Sequence, residues 1–475
     1  MERLTGLDAS FLYLETGTQH LHVCALLILE PTPDQYSFDG FKAELARRLP
    51  LVPQMRRRVH EVPFHLDHPV WADDPNFDLD YHVQRAGLPS PCGEAELAEL
   101  VGEIASRPMD RDRPLWEMTV VEGLDAGKVA VICKYHHAAV DGITGTNMMM
   151  HLCDLTPRDP VGESPTDSSE LASAPSEPEP NDWKLLAEAI THFPARAGLV
   201  GMVPRTLGIM ASAAQRRRNN MAGMAVPFTA PRTPFNRAIS ARRSVAFTGV
   251  DLADIKRIKT AFEVKVNDVV LTVVAGVLRT YLDKHGHLPE TSLIASVPVS
   301  VHESTRHTSG INKVSTLFSR LGTDIADPVE RLRLVAAANR GAKSEHDLIG
   351  ADFLQDWSKY APPNTFRLAS RIYSALKLCE HHPVVHNLVV SNVPGPAVPL
   401  YFLGLPIDAM YPFGPVFHGA GLTVTVLSNN GDLDFGFIAC RDLVPDIEEL
   451  GAAVPEAVDE LLSAARQLAS PQGAR

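Results

Sequence analysis

The chain has 475 residues, which at roughly 150 residues per domain leads us to expect two or three domains around a large apolar core. Its composition, 45% apolar and 21% charged, excludes a wholly disordered or fibrous polymer. With 44 Lys plus Arg against 57 Asp plus Glu the net charge is −13, so the broad positive field that nucleic acid requires is absent. Cys24, Cys92, Cys133, Cys153, Cys379 and Cys440 form no CxxC pair, which suits a reducing compartment and argues against a disulfide framework or a structural zinc site. No apolar run approaches the roughly 20 residues of a bilayer crossing. Glu2, Asp8 and Glu15 precede the first apolar run, which is wrong for a secretory leader, so the expected location is the cytoplasm.

In chain order, residues 21–29 read as a buried strand. Phe38, Phe41, Leu45 and Leu49 follow at helical spacing behind Ser37 as N-cap. Leu97, Leu100, Val101 and Ile104 mark a second amphipathic helix, and strands are expected over 115–121 and 128–135, joined by a turn with Gly123, Asp125 and Gly127. A short helix is expected over 144–152. Residues 157–182 hold six prolines, five serines and seven acids against one Arg158, a composition that cannot offset its ordering entropy and reads as a flexible linker. It separates an N-terminal part, 1–156, from the rest. Residues 183–220 are rich in Ala, Leu, Ile and Met and end in Arg216, Arg217 and Arg218. They are either a core-packing helix pair with a solvated basic end or a surface lying on anionic lipid. The C-terminal part, 221–475, carries a strand at 244–250, a helix at 266–282 with Asn267 or Asp268 near its start, and a strand at 293–301. Asp327 and Pro328 make an N-cap and N1 pair for a helix running past Val335. Strands at 388–391, 421–428 and 433–440 and a helix at 447–468 close a mixed α and β chain, sheets with helices packed on them.

The chemistry-bearing segment is Lys134-Tyr135-His136-His137-Ala138-Ala139-Val140-Asp141-Gly142. A buried strand ends in two histidines and turns through small residues to an Asp-Gly. Adjacent strand side chains point to opposite faces, so one histidine is expected to work and the other to support it. A pair of core histidines without chemistry is the bland alternative. A metal site is disfavoured, because adjacent histidines are poor co-ligands and no third ligand stands at a familiar spacing. A general base at a strand end leading into a loop is the sharper reading.

HHxxxDG resembles the signature of the coenzyme-A-dependent acyltransferase superfamily, which includes chloramphenicol acetyltransferases, carnitine acyltransferases and peptide-synthetase condensation domains. Within it the chain resembles the bacterial wax ester synthase/diacylglycerol acyltransferase family, through its opening 7–12 (LDASFL), Pro114-Leu115-Trp116, Asn267-Asp268-Val269-Val270-Leu271 (with Thr272 where Ala is usual) and Ser391-Asn392-Val393-Pro394-Gly395-Pro396. The resemblance implies an α+β fold of two chloramphenicol-acetyltransferase-like sheet-and-helix halves with a tunnel between them. It also implies an O-acyltransferase that moves a long-chain fatty acyl group from acyl-CoA, a co-substrate and not a cofactor, to the hydroxyl of diacylglycerol or a long-chain alcohol. On this pattern His137 is the general base, His136 its support, Asp141 shapes the loop and Gly142 permits the turn. Asn267, Ser391 and Asn392 are candidates for substrate or oxyanion contact, though Asn267 can equally cap its helix and the prolines simply shape a turn. Trp116 and Cys133 read as core, and Asp434-Phe435-Gly436-Phe437 as packing. Membrane-borne substrates imply a location peripheral to the inner membrane face or to lipid droplets, with 183–220 as candidate contact. Two alternatives stand beside this reading: an amide-forming, condensation-domain-like enzyme, and a catalytically silent lipid-binding homologue.

Overall fold

The computed structural model describes residues 2–32, 34–140, 151–157, 180–192, 225–300, 314–349 and 362–469. The chain forms two units. The first takes residues 1–206 together with two later segments, 353–372 and 398–410; the second takes 207–352, 373–397 and 411–475. Asp141, Gly142, most of the short helix expected over 144–152, the interior of the 157–182 linker and the 193–220 part of the apolar-basic segment lie outside the described residues.

The first unit is built on a seven-stranded sheet in the order Val83–Gly87, Trp116–Glu122, Val129–His136, His22–Leu29, Leu405–Phe413 (which belongs to this unit as far as Met410), Tyr401–Phe402 and Cys153–Asp154. Gly123 (φ 89°) and Gly127 (φ 72°) take left-handed backbone in the turn that joins the second and third of these strands antiparallel, a conformation that glycine adopts without a Cβ penalty. Val129–His136 is buried on both faces for almost its whole length, which is why it reads as an apolar run and not as an alternation. The helix Glu94–Ser106 packs on it and on its neighbour through Leu97, Val101 and Ile104, and Glu96 closes its start by accepting the Gly93 N–H at 2.9 Å. Ser37 caps Phe38–Arg48 as expected, its Oγ accepting the Gly40 N–H at 3.1 Å. Trp116 is core: its Nε1 donates to the Met55 carbonyl at 2.7 Å and its ring stacks on His82 with centroids 4.4 Å apart. A small antiparallel sheet of Glu2–Arg3, Val70–Asp73 and Arg57–His60, not foreseen in the sequence, lies in the same unit.

The second unit holds a six-stranded mixed sheet in the order Val314–Arg320, Ile294–Ser300, Leu388–Val393, Leu422–Asn429, Asp432–Cys440 and Arg243–Asp251. Leu388–Val393 runs parallel to both its neighbours, and the outer pairs are antiparallel. The helix Val266–Lys284 is apolar nearly all round because it is sandwiched: it packs against Leu252–Phe262, Pro328–Ile349 and Glu448–Ala469. Asp327 begins Pro328–Ile349 by accepting the Glu330 N–H at 2.7 Å, as its position before proline predicts. Two glycines admit close backbone crossings. A Cβ on Gly395 would lie 2.0 Å from the Ser428 carbonyl oxygen, and one on Gly436 would lie 2.1 Å from that of Pro412.

Candidate active site

His136 ends its strand and His137 follows it, so the two imidazoles leave on opposite faces, as the strand period requires. His136 is fully buried. Its Nδ1 accepts the Ala138 N–H at 3.0 Å, its carbonyl accepts the Ala139 N–H at 2.9 Å, and the His137 N–H donates to the Leu21 carbonyl at 2.7 Å. A backbone N–H can only donate, so Nδ1 of His136 carries the lone pair and its proton sits on Nε2. His137 is only half-buried. Its ring lies flat against Phe11, centroids 4.0 Å apart and planes 19° apart, with Nδ1 sealed from solvent and unpartnered among the described residues. Burial, with a smaller contribution from His136, pushes the His137 pKa down to about 4. The imidazole is therefore neutral at any cellular pH, the state a proton acceptor needs.

Behind His136 lies a cluster that no motif announced. Glu15 follows the helix Gly6–Leu14 as its C-cap. Arg111 donates to Glu15 through Nε at 2.9 Å and again through a second guanidinium nitrogen, which also reaches the Leu12 carbonyl at 2.8 Å. The Glu15 carboxylate stands 3.5 Å from His136 Nε2 and 3.6 Å from His22 Nε2, contacts too long for good hydrogen bonds but closed to water. His22 is placed there by the sheet, since it pairs directly with His136. Burial alone would raise the Glu15 pKa; His136, His22 and Arg111 outweigh it and hold the carboxylate ionised, well below the usual range. Burial likewise lowers the pKa of His136, and it pushes that of His22 to about 3. The visible signal for this cluster was His22 at the start of a buried strand; Arg111 gave none.

In the second unit, Asn267 and Asn392 come together. Asn392 Nδ2 donates to Asn267 Oδ1 at 3.3 Å, and the amide hydrogens of Asn267 meet no acceptor among the described residues. Asn267 does not cap its helix. The helix begins after Lys265, and Asp268 closes the turn by accepting the Lys265 N–H at 3.0 Å while its other oxygen takes Asn339 Nδ2 at 2.7 Å. Thr272 satisfies its buried hydroxyl on the Asp268 carbonyl at 2.7 Å, so threonine fits this position of the NDVVL element. Ser391 lies on Leu388–Val393 beside Thr425 of the neighbouring strand. The 2.9 Å bond from the Gly395 N–H to Ser428 Oγ fixes the end of the SNVPGP turn.

Cys133 packs inward from the histidine strand, and burial raises its thiol to about 12, so it is no nucleophile. Lys134, fully buried beside it, is occupied by the Arg107 carbonyl at 2.7 Å and by Glu117 at 3.3 Å. A surface depression of about 480 Å³ lined by Phe38, Arg85, Glu122 and Lys128 sits at the Val129 end of that strand. A strand of this length places it roughly 20 Å from the histidines, too far to serve them. Among the described residues no group of three His, Cys, Asp or Glu converges as metal ligands.

A family model described as the wax ester synthase/diacylglycerol acyltransferase catalytic domain matches residues 4–270, and the WS/DGAT C-terminal domain matches 311–462. The chain belongs to the wax ester synthase/diacylglycerol acyltransferase family. A provisionally named diacylglycerol O-acyltransferase of Mycobacterium tuberculosis is 42% identical over 97% of this chain and 90% of its own. A second provisionally named diacylglycerol O-acyltransferase from that organism is 33% identical over 99% of both chains. Among solved structures, the wax ester synthase/diacylglycerol acyltransferase of Marinobacter aquaeolei VT8 superposes with a TM-score of 0.68 at 27% identity, covering 98% of this chain and all of that one. The first condensation domain of the calcium-dependent antibiotic synthetase shares the fold at a TM-score of 0.52 and 16% identity, over 99% of this chain and 97% of that one. The two units are thus the chloramphenicol-acetyltransferase-like halves expected for this family, with open sheets. As a family member the chain is an O-acyltransferase, and the reaction class is acyl transfer that makes triacylglycerol or wax ester.

Proposed function

We propose that this acyltransferase moves a long-chain fatty acyl group from acyl-CoA to the hydroxyl of diacylglycerol, a long-chain alcohol, or both, with His137 as general base. The observation that carries this reading is the half-buried His137 imidazole at a strand end, its ring against Phe11 and its backbone N–H on the Leu21 carbonyl, with burial holding its pKa at about 4. The donor is already activated as a thioester, so no enzyme nucleophile is needed. As the acceptor oxygen bonds to the thioester carbon, its proton passes to the imidazole. When the carbon–sulfur bond breaks, the imidazolium returns that proton to the departing thiolate, and the base is regenerated. Positioned proton transfer of this kind contributes roughly 10²–10⁴ in rate.

The carbonyl oxygen gains negative charge on the way and needs donors. Asn267 and Asn392 are the candidates, with Asn267 at the second position of a helix whose dipole favours an anion, and Ser391 is the third. Asp141 and Gly142 are assigned to loop geometry. Diacylglycerol as acceptor is favoured by the names of the relatives more than 30% identical.

Such acceptors live in membranes or lipid droplets, and the reading includes peripheral association with one of these surfaces. Among the described residues no helix is long and apolar enough to cross a bilayer. The described start of the apolar-basic segment is the helix Asp182–His192. It buries Leu185 and Ala189 with Val62 and Val70 while Trp183 (80% exposed) and Ile190 (62%) stand in solvent, a division that suits an interfacial contact.

Product analysis tests the reaction. Purified protein supplied with labelled palmitoyl-CoA, dioleoylglycerol and hexadecanol together is expected to yield labelled ester. No ester at any pH, or an amide from an amine acceptor alone, overturns the reading.

A further inference from the structure

We infer that Glu15, clamped by Arg111, is a positioning residue for the reaction, because it selects the tautomer of His136 that holds the turn carrying His137. The inference rests on the assignment of His137 as base. Three contacts define the turn: Ala138 N–H to His136 Nδ1, Ala139 N–H to the His136 carbonyl, and His137 N–H to the Leu21 carbonyl. The first exists only while Nδ1 is unprotonated. If the proton moved to Nδ1, two N–H donors would face each other at 3.0 Å in a fully buried site, and the turn would have to shift. An ionised carboxylate accepts and cannot donate, so Glu15 at 3.5 Å makes Nε2 the favoured place for that proton.

The location of Glu15 is itself unfavourable for its helix. It occupies the C-cap of Gly6–Leu14, the end where the macrodipole disfavours an anion. Arg111 offsets that cost by ion-pairing with Glu15 while donating to the Leu12 carbonyl of the last helical turn. A neutral residue would close this helix equally well, and a charge kept here at a cost is explained by its contact with His136. His22 adds a second imidazole on the same carboxylate, put there by the pairing of His22 with His136 across the sheet. Glu15 touches neither His137 nor the reacting atoms. It acts through His136, as a carboxylate that orients a neighbouring imidazole does in other enzymes.

Two measurements on the full chain test this. In protein labelled with ¹⁵N-histidine, with the His136 resonances assigned by their loss in His136→Gln, the wild type is expected to show His136 protonated on Nε2 alone. Glu15→Gln is expected to give a mixture of tautomers and to lower kcat on the order of 10²-fold, the loss typical of a reacting group misplaced by about 1 Å. Its KM for palmitoyl-CoA should stay within about twofold. Glu15→Asp, which keeps an acceptor-only side chain, is expected to recover part of kcat and the single tautomer. A wild-type His136 protonated on Nδ1, or a Gln variant with unchanged kcat and tautomer, overturns the inference. If Glu15→Gln does not fold, a wild-type His136 protonated on Nδ1 still overturns the inference. An absence of ester from wild-type protein overturns the proposed reaction instead, and the tautomer reading is independent of it.

Discussion

Removing the ring that covers His137, the proposed base, should move its titration. Phe11 lies 4.0 Å from His137, nearly parallel to it, and is the aromatic side chain closing that face. Burial is the main cause that holds the imidazole at about 4, against 6.5 in water. Phe11→Ala admits water to the exposed face, and the pKa is expected to climb toward 6.5. At pH 5.5 a base of pKa 4 is roughly 97% neutral and one of 6.5 roughly 9%, so complete rehydration lowers kcat/KM about tenfold there and leaves it unchanged at pH 8. Phe11 is half-buried, so its loss leaves the core cluster around Leu12 and Leu115 largely intact. The assay is initial-rate ester formation from pH 4 to 8, because kcat/KM reports groups of the free enzyme. An acyl thioester of N-acetylcysteamine replaces acyl-CoA so that no substrate phosphate titrates in the same window. The aromatic face also attracts an imidazolium, which opposes the effect of burial. If that attraction dominated, the acid limb of the variant would move down, and this result, or a wild-type limb near 6.5, would refute the reasoning.

Two further outcomes follow from the second unit. Asn267→Asp keeps shape and adds an anion at a helix N-terminus, so the fold should be at least as stable, while transfer falls on the order of 10²–10³ through loss of a donor to the carbonyl oxygen; initial rates and a thermal melt check both, and a fully active variant removes Asn267 from the chemistry. Gly395→Ala places a Cβ 2.0 Å from the Ser428 carbonyl oxygen, where carbon–oxygen contacts stay beyond about 3.3 Å. The strand must separate, and a loss of about 3 kcal/mol, seen by calorimetry as a melting temperature lower by roughly 6–12 °C, is expected; an unchanged melt contradicts that close approach.

Local signals carried much of the fold. Ser37 and Asp327 were legible as caps because a short acceptor before a helical repeat has one good use. The strands at His22–Leu29 and Val129–His136 were legible because both faces are buried and the sequence stays apolar. Asn267 was ambiguous, as Lys265, Asn267 and Asp268 all sit at the helix start; three-residue spacing of Asp268 from Lys265 is what decides the cap. Val83–Gly87 was not legible, since its residues are half polar and its partner is a parallel strand further along the chain. Leu405–Phe413 carries two prolines, and nothing local says that it joins the sheet of the first unit. The same distance hid the brace. Glu15 and Arg111 are 96 residues apart, and each alone is an ordinary surface-type residue. For the histidine pair, the strand period foretold only that the two rings leave on opposite faces; the choice of His137 came from the resemblance to the HHxxxDG signature and is a proposal.

The measurement that bears most directly on the account is ester formation by His137→Ala beside His136→Ala, each shown folded by circular dichroism, with palmitoyl-CoA and both acceptors. The account predicts that the His137 variant loses roughly 10²–10⁴ in rate and the His136 variant less. A His137 variant that makes ester at the wild-type rate, or a larger loss at His136, contradicts it.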